Sequence, residues 1–347
     1  MIPVSVEGDS KEGATAMAVL VTGGAGYLGS RLVAHLIGRG HQVVVFDRLF
    51  YGGEGLLPLI DHPRFRLIPG DVRDRQALRA AMSGCRAVVH LAAIVGEPAC
   101  ALDEALTRAV NRDAGIAALE CAEAEGVDRF ITISTCSNYG VVSADELATE
   151  DSPLHPLSLY ARTKTDLEQA TLARRGPLAA TVLRLGTICG LSVRMRFDLL
   201  ISEVARAAVL GETIEIFKPQ AWRPFLHVAD AAAAVGLCLA ADAGRVAGQV
   251  FNVVGENCRK HDLVDLVRHH FPEARIVITD KAPDNRDYRV SGERYRAALG
   301  FEPGHTVADA FREVAQAVAL GLFRQPLWPG YSAIPLSGGF PPDGPRS

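Results

Sequence analysis

The stretch MAVLVTGGAGYLGSRLVAHLIG, residues 17–38, decides how this chain folds. Its first seven residues are an apolar run closed by glycine, the length of one buried strand. From Leu28 to Ile37, the residues Leu32, Val33, Leu36 and Ile37 recur at helical spacing and share one apolar face. Gly38 and Gly40 stop that helix. Between strand and helix, Gly23, Gly26 and Gly29 form a GxxGxxG turn. Glycine permits the tight turn and lets backbone amides approach a pyrophosphate, whose charge the helix N-terminus then faces. The next apolar run, QVVVFD (42–47), ends in Asp47, 18 positions after Gly29. A carboxylate there is placed to hydrogen-bond an adenosine ribose diol and repels a 2′-phosphate, which favours NAD over NADP. Arg48 alongside weakens that preference slightly.

The same alternation continues down the chain. Phe65–Ile68, Ala87–Leu91, Phe130–Ser134 and Ala180–Leu185 read as strands, with helices over Asp74–Met82, 103–125 and 158–175. Strands with almost no polar alternation, separated by helices, imply a parallel sheet covered on both faces. After Leu185 the rhythm breaks: a helix near 197–210 and a short strand near Thr213–Phe217 follow. PFLHVADAAAAV (224–235) and VFNVVGE (250–256) read as a return to the sheet, and short helices with one strand (Arg275–Ile278) fill 260–323. The expectation is an α/β fold, a Rossmann-type doubly wound parallel sheet formed by 17–186 and 225–258. A smaller discontinuous C-terminal lobe for substrate takes 187–224 and 259–325. Residues 1–16 read as a disordered lead-in. The tail, 326–347, holds six Pro and four Gly and reads as an extended strap or disordered segment.

Composition narrows the function classes. Lys plus Arg is 36 against 40 Asp plus Glu, a formal charge of −4, so a broad basic footprint for nucleic acid is not expected. No apolar stretch approaches the ~18 residues of a membrane span. The seven cysteines are odd in number and include no CxxC pair, which argues for free thiols in a reducing compartment, the cytoplasm, and against disulfides or a structural metal. The first 16 residues have neither a basic start nor an apolar core, so they do not read as a secretory signal.

TGGAGYLG (22–29), GDVRD (70–74), HLAA (90–93), STCSNYG (134–140) and YARTK (160–164) occur in one order, together with VNRDAG at 110–115, LRLGTICG at 183–190, RPFLHVADAA at 223–232 and FNVVGE at 251–256. In this set, covering about residues 17–320, the chain resembles the extended short-chain dehydrogenase/reductase family, and within it the NAD-dependent nucleotide-sugar epimerases and dehydratases. The resemblance implies roles residue by residue. Gly23, Gly26, Tyr27 and Leu28 hold the dinucleotide with Asp47, Asp71 and Val72 flank adenine, and Leu91, Ala92 and Ala93 line the cofactor. Asn111 matches a helix asparagine near the active site and is counted with the cofactor-binding residues. Thr135, Tyr160 and Lys164 match the catalytic Ser/Thr and YxxxK. Arg223 matches an arginine that binds the substrate pyrophosphate, and Thr187, Arg196 and Arg286 are further candidates for a nucleotide-diphosphate sugar. The resemblance also implies a homodimer paired through helices 103–125 and 158–175.

Tyr160 and Lys164 stand at i and i+4, so they share a helix face. A free phenol, pKa near ~10, is a poor base at neutral pH. A neighbouring ammonium and a positive nicotinamide would both favour phenolate. That phenolate can take a sugar hydroxyl proton, with the Thr135 hydroxyl positioning the reacting oxygen and Lys164 holding the nicotinamide ribose. The departures from the family pattern matter as much. In the sugar 4,6-dehydratases an Asp–Glu pair follows the catalytic Thr; here Cys136 and Ser137 stand there. Dehydration is therefore not expected. Cys136 offers a thiol base or packs the wall. A family asparagine is replaced by Thr187, and the RPGD stretch becomes KAPDNRD (281–287), leaving Ala282 where an arginine is usual, with Arg286 or Arg289 as substitutes. Arg194 and Arg196 face an anionic substrate or cap the lobe, and His90 and His227 read as structural. The leading expectation is a C4 epimerase. The alternatives are a 4-ketosugar reductase using the same triad in one direction and a non-catalytic dinucleotide-sensing protein.

Overall fold

The computed structural model of the chain describes residues 16–143, 145–279, 286–323 and 325–334. Most of the lead-in, most of the KAPDNRD stretch and the tail beyond 334 lie outside the described residues. Six strands alternate with helices as expected: β1 (Ala18–Thr22), β2 (Gln42–Asp47), β3 (Phe65–Pro69), β4 (Ala87–His90), β5 (Arg129–Thr135) and β6 (Ala179–Leu185). Six further strands follow: β7 (Thr187–Cys189), β8 (Ile214–Phe217), β9 (Trp222–His227), β10 (Val250–Val253), β11 (Glu256–Arg259) and β12 (Ile276–Thr279). The main sheet has the order β10-β6-β5-β4-β1-β2-β3 and every pairing in it is parallel.

Both faces of that sheet are buried, which is why its strands carry little polar alternation. Val19, Val21, Val43, Val45, Val89 and Ile131 point to one side, against Leu32, Leu36, Val235 and Leu239 of the helices Tyr27–Gly38 and Val228–Ala240. Leu20, Val44, Phe46, Val88 and Phe130 point to the other, against Leu78, Leu119 and Leu167. Each such side chain contributes about 1.5–3 kcal/mol relative to exposure. A second core joins the helices Leu200–Leu210, Lys260–His270 and Val307–Ala319 around Ile214, Ile216 and Phe225.

Two expectations are corrected. The PFLH segment does not return to the main sheet. It lies in β9, the centre of a three-stranded sheet between β11, antiparallel to it, and β7, parallel to it. Only β10 rejoins the main sheet, beside β6. Periodicity could not separate the two cases, because β9 is buried as deeply as the parallel strands. The expected helix 103–125 is also interrupted. A short turn of helix, Glu104–Arg108, passes through a π-turn at Ala109–Asp113 before regular helix resumes at Ala114–Ala124. At that π-turn Asn111 is fully buried, and its amide clamps both the N–H and the carbonyl of Ile94, each at 2.8 Å.

Candidate active site

The carboxyl ends of β1, β2, β4, β5 and β6 open into one cavity of about 740 Å³, the place where open α/β sheets bind ligands. Its cofactor end is made by the glycine turn. Gly23 has φ +72°, and a Cβ there would stand 2.8 Å from the Ala92 nitrogen. A Cβ on Gly29 would strike the Gly23 carbonyl and stand 2.7 Å from the Gly24 Cα. The helix Tyr27–Gly38 begins with neither a side-chain cap nor an acidic residue in its first turn, so its amide dipoles are left for an anion. This cradle fits a dinucleotide pyrophosphate. Asp47 lies at the rim, one oxygen accepting the Ala25 N–H at 2.9 Å and the other the Leu49 N–H at 2.8 Å. Burial pushes its carboxyl up, and these two amides act against that. Arg48 turns to Asp71 (3.4 Å), which Arg73 also grips with a two-pronged contact.

The reaction end gathers residues far apart in the chain. Thr135 closes β5 and its hydroxyl oxygen accepts the Ser137 N–H at 3.1 Å. The helix Leu159–Leu172, capped by the Ser158 hydroxyl on the Ala161 N–H, carries Tyr160 and Lys164 into the cavity. Lys164 is buried, which pushes its ammonium down to about 8, while the Glu168 carboxylate one turn on acts the other way. Glu168 itself is locked by Arg184, Asn138 and Ser134, tying the end of β5 to this helix. Burial raises Tyr160 well above the ordinary phenol, with the Cys100 thiol acting the same way, while Arg196 and Arg286 pull it down. A positive nicotinamide beside the phenol would act with the two arginines, against desolvation.

Of the candidate site residues, Asn111, Cys136 and Arg289 do not line this cavity, and the rest do. Gly23, Gly26, Leu28, Asp47, Asp71, Val72 and the Leu91–Ala93 segment stand at one end; Thr135, Tyr160, Lys164, Thr187, Arg196, Arg223 and Arg286 stand at the other. Tyr27 lines it too, although its hydroxyl donates to the Gly190 carbonyl in the second lobe at 2.5 Å. Asn111 acts one step back, by shaping the Ile94 backbone that forms the wall. Cys136 is not a base. It is 1% exposed, its thiol donates to the Arg184 carbonyl at 3.3 Å, and burial pushes it far up. Ser137 accepts hydrogen bonds from Arg286 at 2.9 Å and from the Tyr288 hydroxyl at 3.3 Å. Arg223 is buried, donating to the carbonyls of Trp222 (2.8 Å) and Arg286. Arg196 forks onto Asp198 at 3.0 and 2.6 Å. The sequence reading missed Tyr51, Glu97, Ser137, Lys260, Ala333 and Ile334 as lining residues. The adjacent aromatics Phe50 and Tyr51, just past Asp47, were a usable signal; Ala333 and Ile334 carried none.

The sequence pattern of the NAD dependent epimerase/dehydratase family matches residues 19–254. The chain belongs to that family. Its cofactor is NAD. Among curated relatives it is 30% identical to a UDP-glucose 4-epimerase of Corynebacterium glutamicum, covering 84% of this chain and 92% of that one. It is equally 30% identical to a dTDP-glucose 4,6-dehydratase of Streptomyces griseus, covering 84% and 90%. The crystal structure of a dTDP-glucose 4,6-dehydratase from Streptomyces venezuelae with NAD bound superposes with a TM-score of 0.79 at 26% identity, covering 91% of this chain and all of that one. Among the described residues no helix is long and apolar enough to cross a membrane, and no group of three or more His, Cys, Asp or Glu is placed to hold a metal ion. All seven cysteines are free.

Proposed function

We propose that this enzyme is a nucleotide-sugar epimerase acting at C4. The observation that carries the reading is the pair after Thr135: Cys136 is sealed against a backbone carbonyl, and Ser137 is a hydroxyl held by Arg286 and Tyr288. The carboxylate pair by which dehydratases of the family eliminate water is absent at these positions. Asp198, a carboxylate on the substrate side, is already forked by Arg196. NAD bound in this cradle would supply the acceptor for the sugar carbon's hydride and the donor for its return. Tyr160 accepts the hydroxyl proton of that carbon and later gives it back. The Thr135 hydroxyl, whose oxygen already accepts an amide, has its own proton to donate to the reacting oxygen. Lys164 holds the nicotinamide ribose. Arg223 and Arg286 hold the diphosphate of the sugar nucleotide, with Thr187 and Arg196 on the sugar side.

Incubation with nucleotide-diphosphate hexoses tests this. The C4 epimer should form with no net change in reduced-cofactor absorbance and no solvent deuterium at the epimerised carbon. Stoichiometric consumption of reduced cofactor would make the enzyme a ketoreductase instead, and loss of water from the sugar would make it a dehydratase. Assembly as a homodimer through the helices of 103–125 and 158–175 belongs to the same proposal, and a monomeric mass at micromolar concentration would remove it.

A further inference from the structure

The segment after the last long helix reaches the cavity, where Ala333 and Ile334 line it. Its first part is anchored on aromatic edges. Tyr331 meets Phe197 and Phe323 edge-on, with ring centres 5.4 and 5.5 Å apart, and its carbonyl accepts the Phe197 N–H at 2.8 Å. The next residues are stitched to both sides. The Ser332 carbonyl accepts from Arg194 at 2.9 Å, and the Ala333 N–H donates to Asp198 at 3.1 Å. The Ala333 carbonyl accepts from the Tyr51 hydroxyl at 2.6 Å. Ala333 is 3% exposed, packed with Ile94, Ala99 and Cys100 beside Tyr160, and Ile334 lines the cavity.

The anchors come from opposite lobes. Tyr51 follows β2, in the loop just past Asp47, whereas Arg194 and Asp198 belong to the substrate lobe. The Arg194 guanidinium also lies over the Tyr51 ring, 4.5 Å from its centre. A strand-less, helix-less backbone buries its amides only where side chains are placed to satisfy them. Here three consecutive backbone groups find such partners, two from one lobe and one from the other. Asp198 serves two ends at once: it receives the Ala333 N–H and holds Arg196, one of the two guanidiniums acting on Tyr160.

We propose that Ser332–Ile334 form a clasp that closes the cavity over the bound dinucleotide, retaining NAD between turnovers and fixing Arg196 through Asp198. Asp47, Tyr51, Tyr160 and Ala333 line one cavity, so a dinucleotide held between Asp47 and Tyr160 would leave most easily when the Tyr51–Ala333 contact opens. This does not depend on which sugar chemistry the site performs, and its test needs no sugar substrate.

The experiment measures NADH dissociation by stopped-flow displacement, together with the NAD retained through desalting. It compares the full chain with a variant ending at Leu327, with Ala333→Glu, which forces a charge into the buried seat, and with Tyr51→Phe. Truncation and Ala333→Glu should each speed dissociation at least tenfold, and Tyr51→Phe a few-fold. Tyr51→Phe added to the truncated chain should have no further effect, because both act on one contact. Unchanged dissociation in Ala333→Glu and Tyr51→Phe would overturn the clasp even if the truncated chain fails to fold. A full Tyr51→Phe effect in the truncated chain would also overturn it, since Tyr51 would then act on the cofactor directly.

Discussion

The two ends of the cavity are built by opposite means. At the cofactor end the surface is largely backbone: a glycine turn, an uncapped helix N-terminus and the ends of adjacent strands, all within the first 93 residues. Charge there is modest and held in place, with Asp47 on two amides and Asp71 under two arginines. At the substrate end the surface is side chains on segments far apart: Thr187 and Arg196, Arg223, Lys260, Arg286 and finally Ile334. A backbone cradle recognises what every member of the family shares, the dinucleotide, and tolerates almost no change in its glycines. A side-chain wall can be rewritten residue by residue, which is why relatives of equal identity include an epimerase and a dehydratase.

If the ends are independent and meet only at the reacting atoms, variants should divide cleanly. The largest effect belongs to the seam. Tyr160→Phe removes one oxygen and should lower kcat by at least ~100-fold while NAD binding, followed by fluorescence titration, stays nearly intact. Appreciable activity in that variant would remove the catalytic assignment altogether. Next comes Arg223→Met, which deletes a buried guanidinium; hydrogen bonds to a charged group are worth about 1.5–3 kcal/mol, so sugar-nucleotide affinity should drop roughly 10- to 100-fold. Calorimetry should find NAD affinity unchanged. An equal loss of both would show that the two ends are coupled. Asp47→Asn probes the opposite end. The wild type should bind NAD more tightly than NADP, and the neutral amide should narrow that preference roughly tenfold by removing repulsion of the 2′-phosphate, leaving the sugar nucleotide untouched.

The smallest effect is on pH dependence. Burial pushes Lys164 down to about 8, so the ammonium is lost as pH rises through that value. A neutral amine is a weaker partner for the ribose hydroxyls, and NAD affinity should weaken roughly two- to fivefold between pH 7 and 9. Tyr160→Phe should keep that slope and Lys164→Met should flatten it. A slope that survives in Lys164→Met would place the titrating group elsewhere.

The cofactor end was legible because its signals are local. Gly23, Gly26, Gly29 and Asp47 act through a strand, a turn and a helix contiguous in sequence, and the YxxxK spacing needs only one helix. What was not legible depends on distance along the chain. Asn111 has its amide committed to Ile94, 17 residues earlier, across a π-turn that no apolar period announces. Ser137 looked like a mere vacancy in a dehydratase pattern until Arg286, 149 residues later, was found on its hydroxyl. The β9 segment read as a sheet strand and is one, in a different sheet.

The sequence alone determined that apolar strands and amphipathic helices alternate, that a glycine turn precedes a helix N-terminus, and that a tyrosine and a lysine share a helix face. These follow from steric rules and periodicities acting over a few residues. Only the tertiary structure decided the ionisation of those groups and the closure of the site. Tyr160 and Lys164 shift because burial removes water from around them, and burial is a property of everything packed nearby. The segment Ser332–Ile334 seats on the cavity because Tyr51, Arg194 and Asp198, placed by two separate lobes, converge on three of its backbone groups.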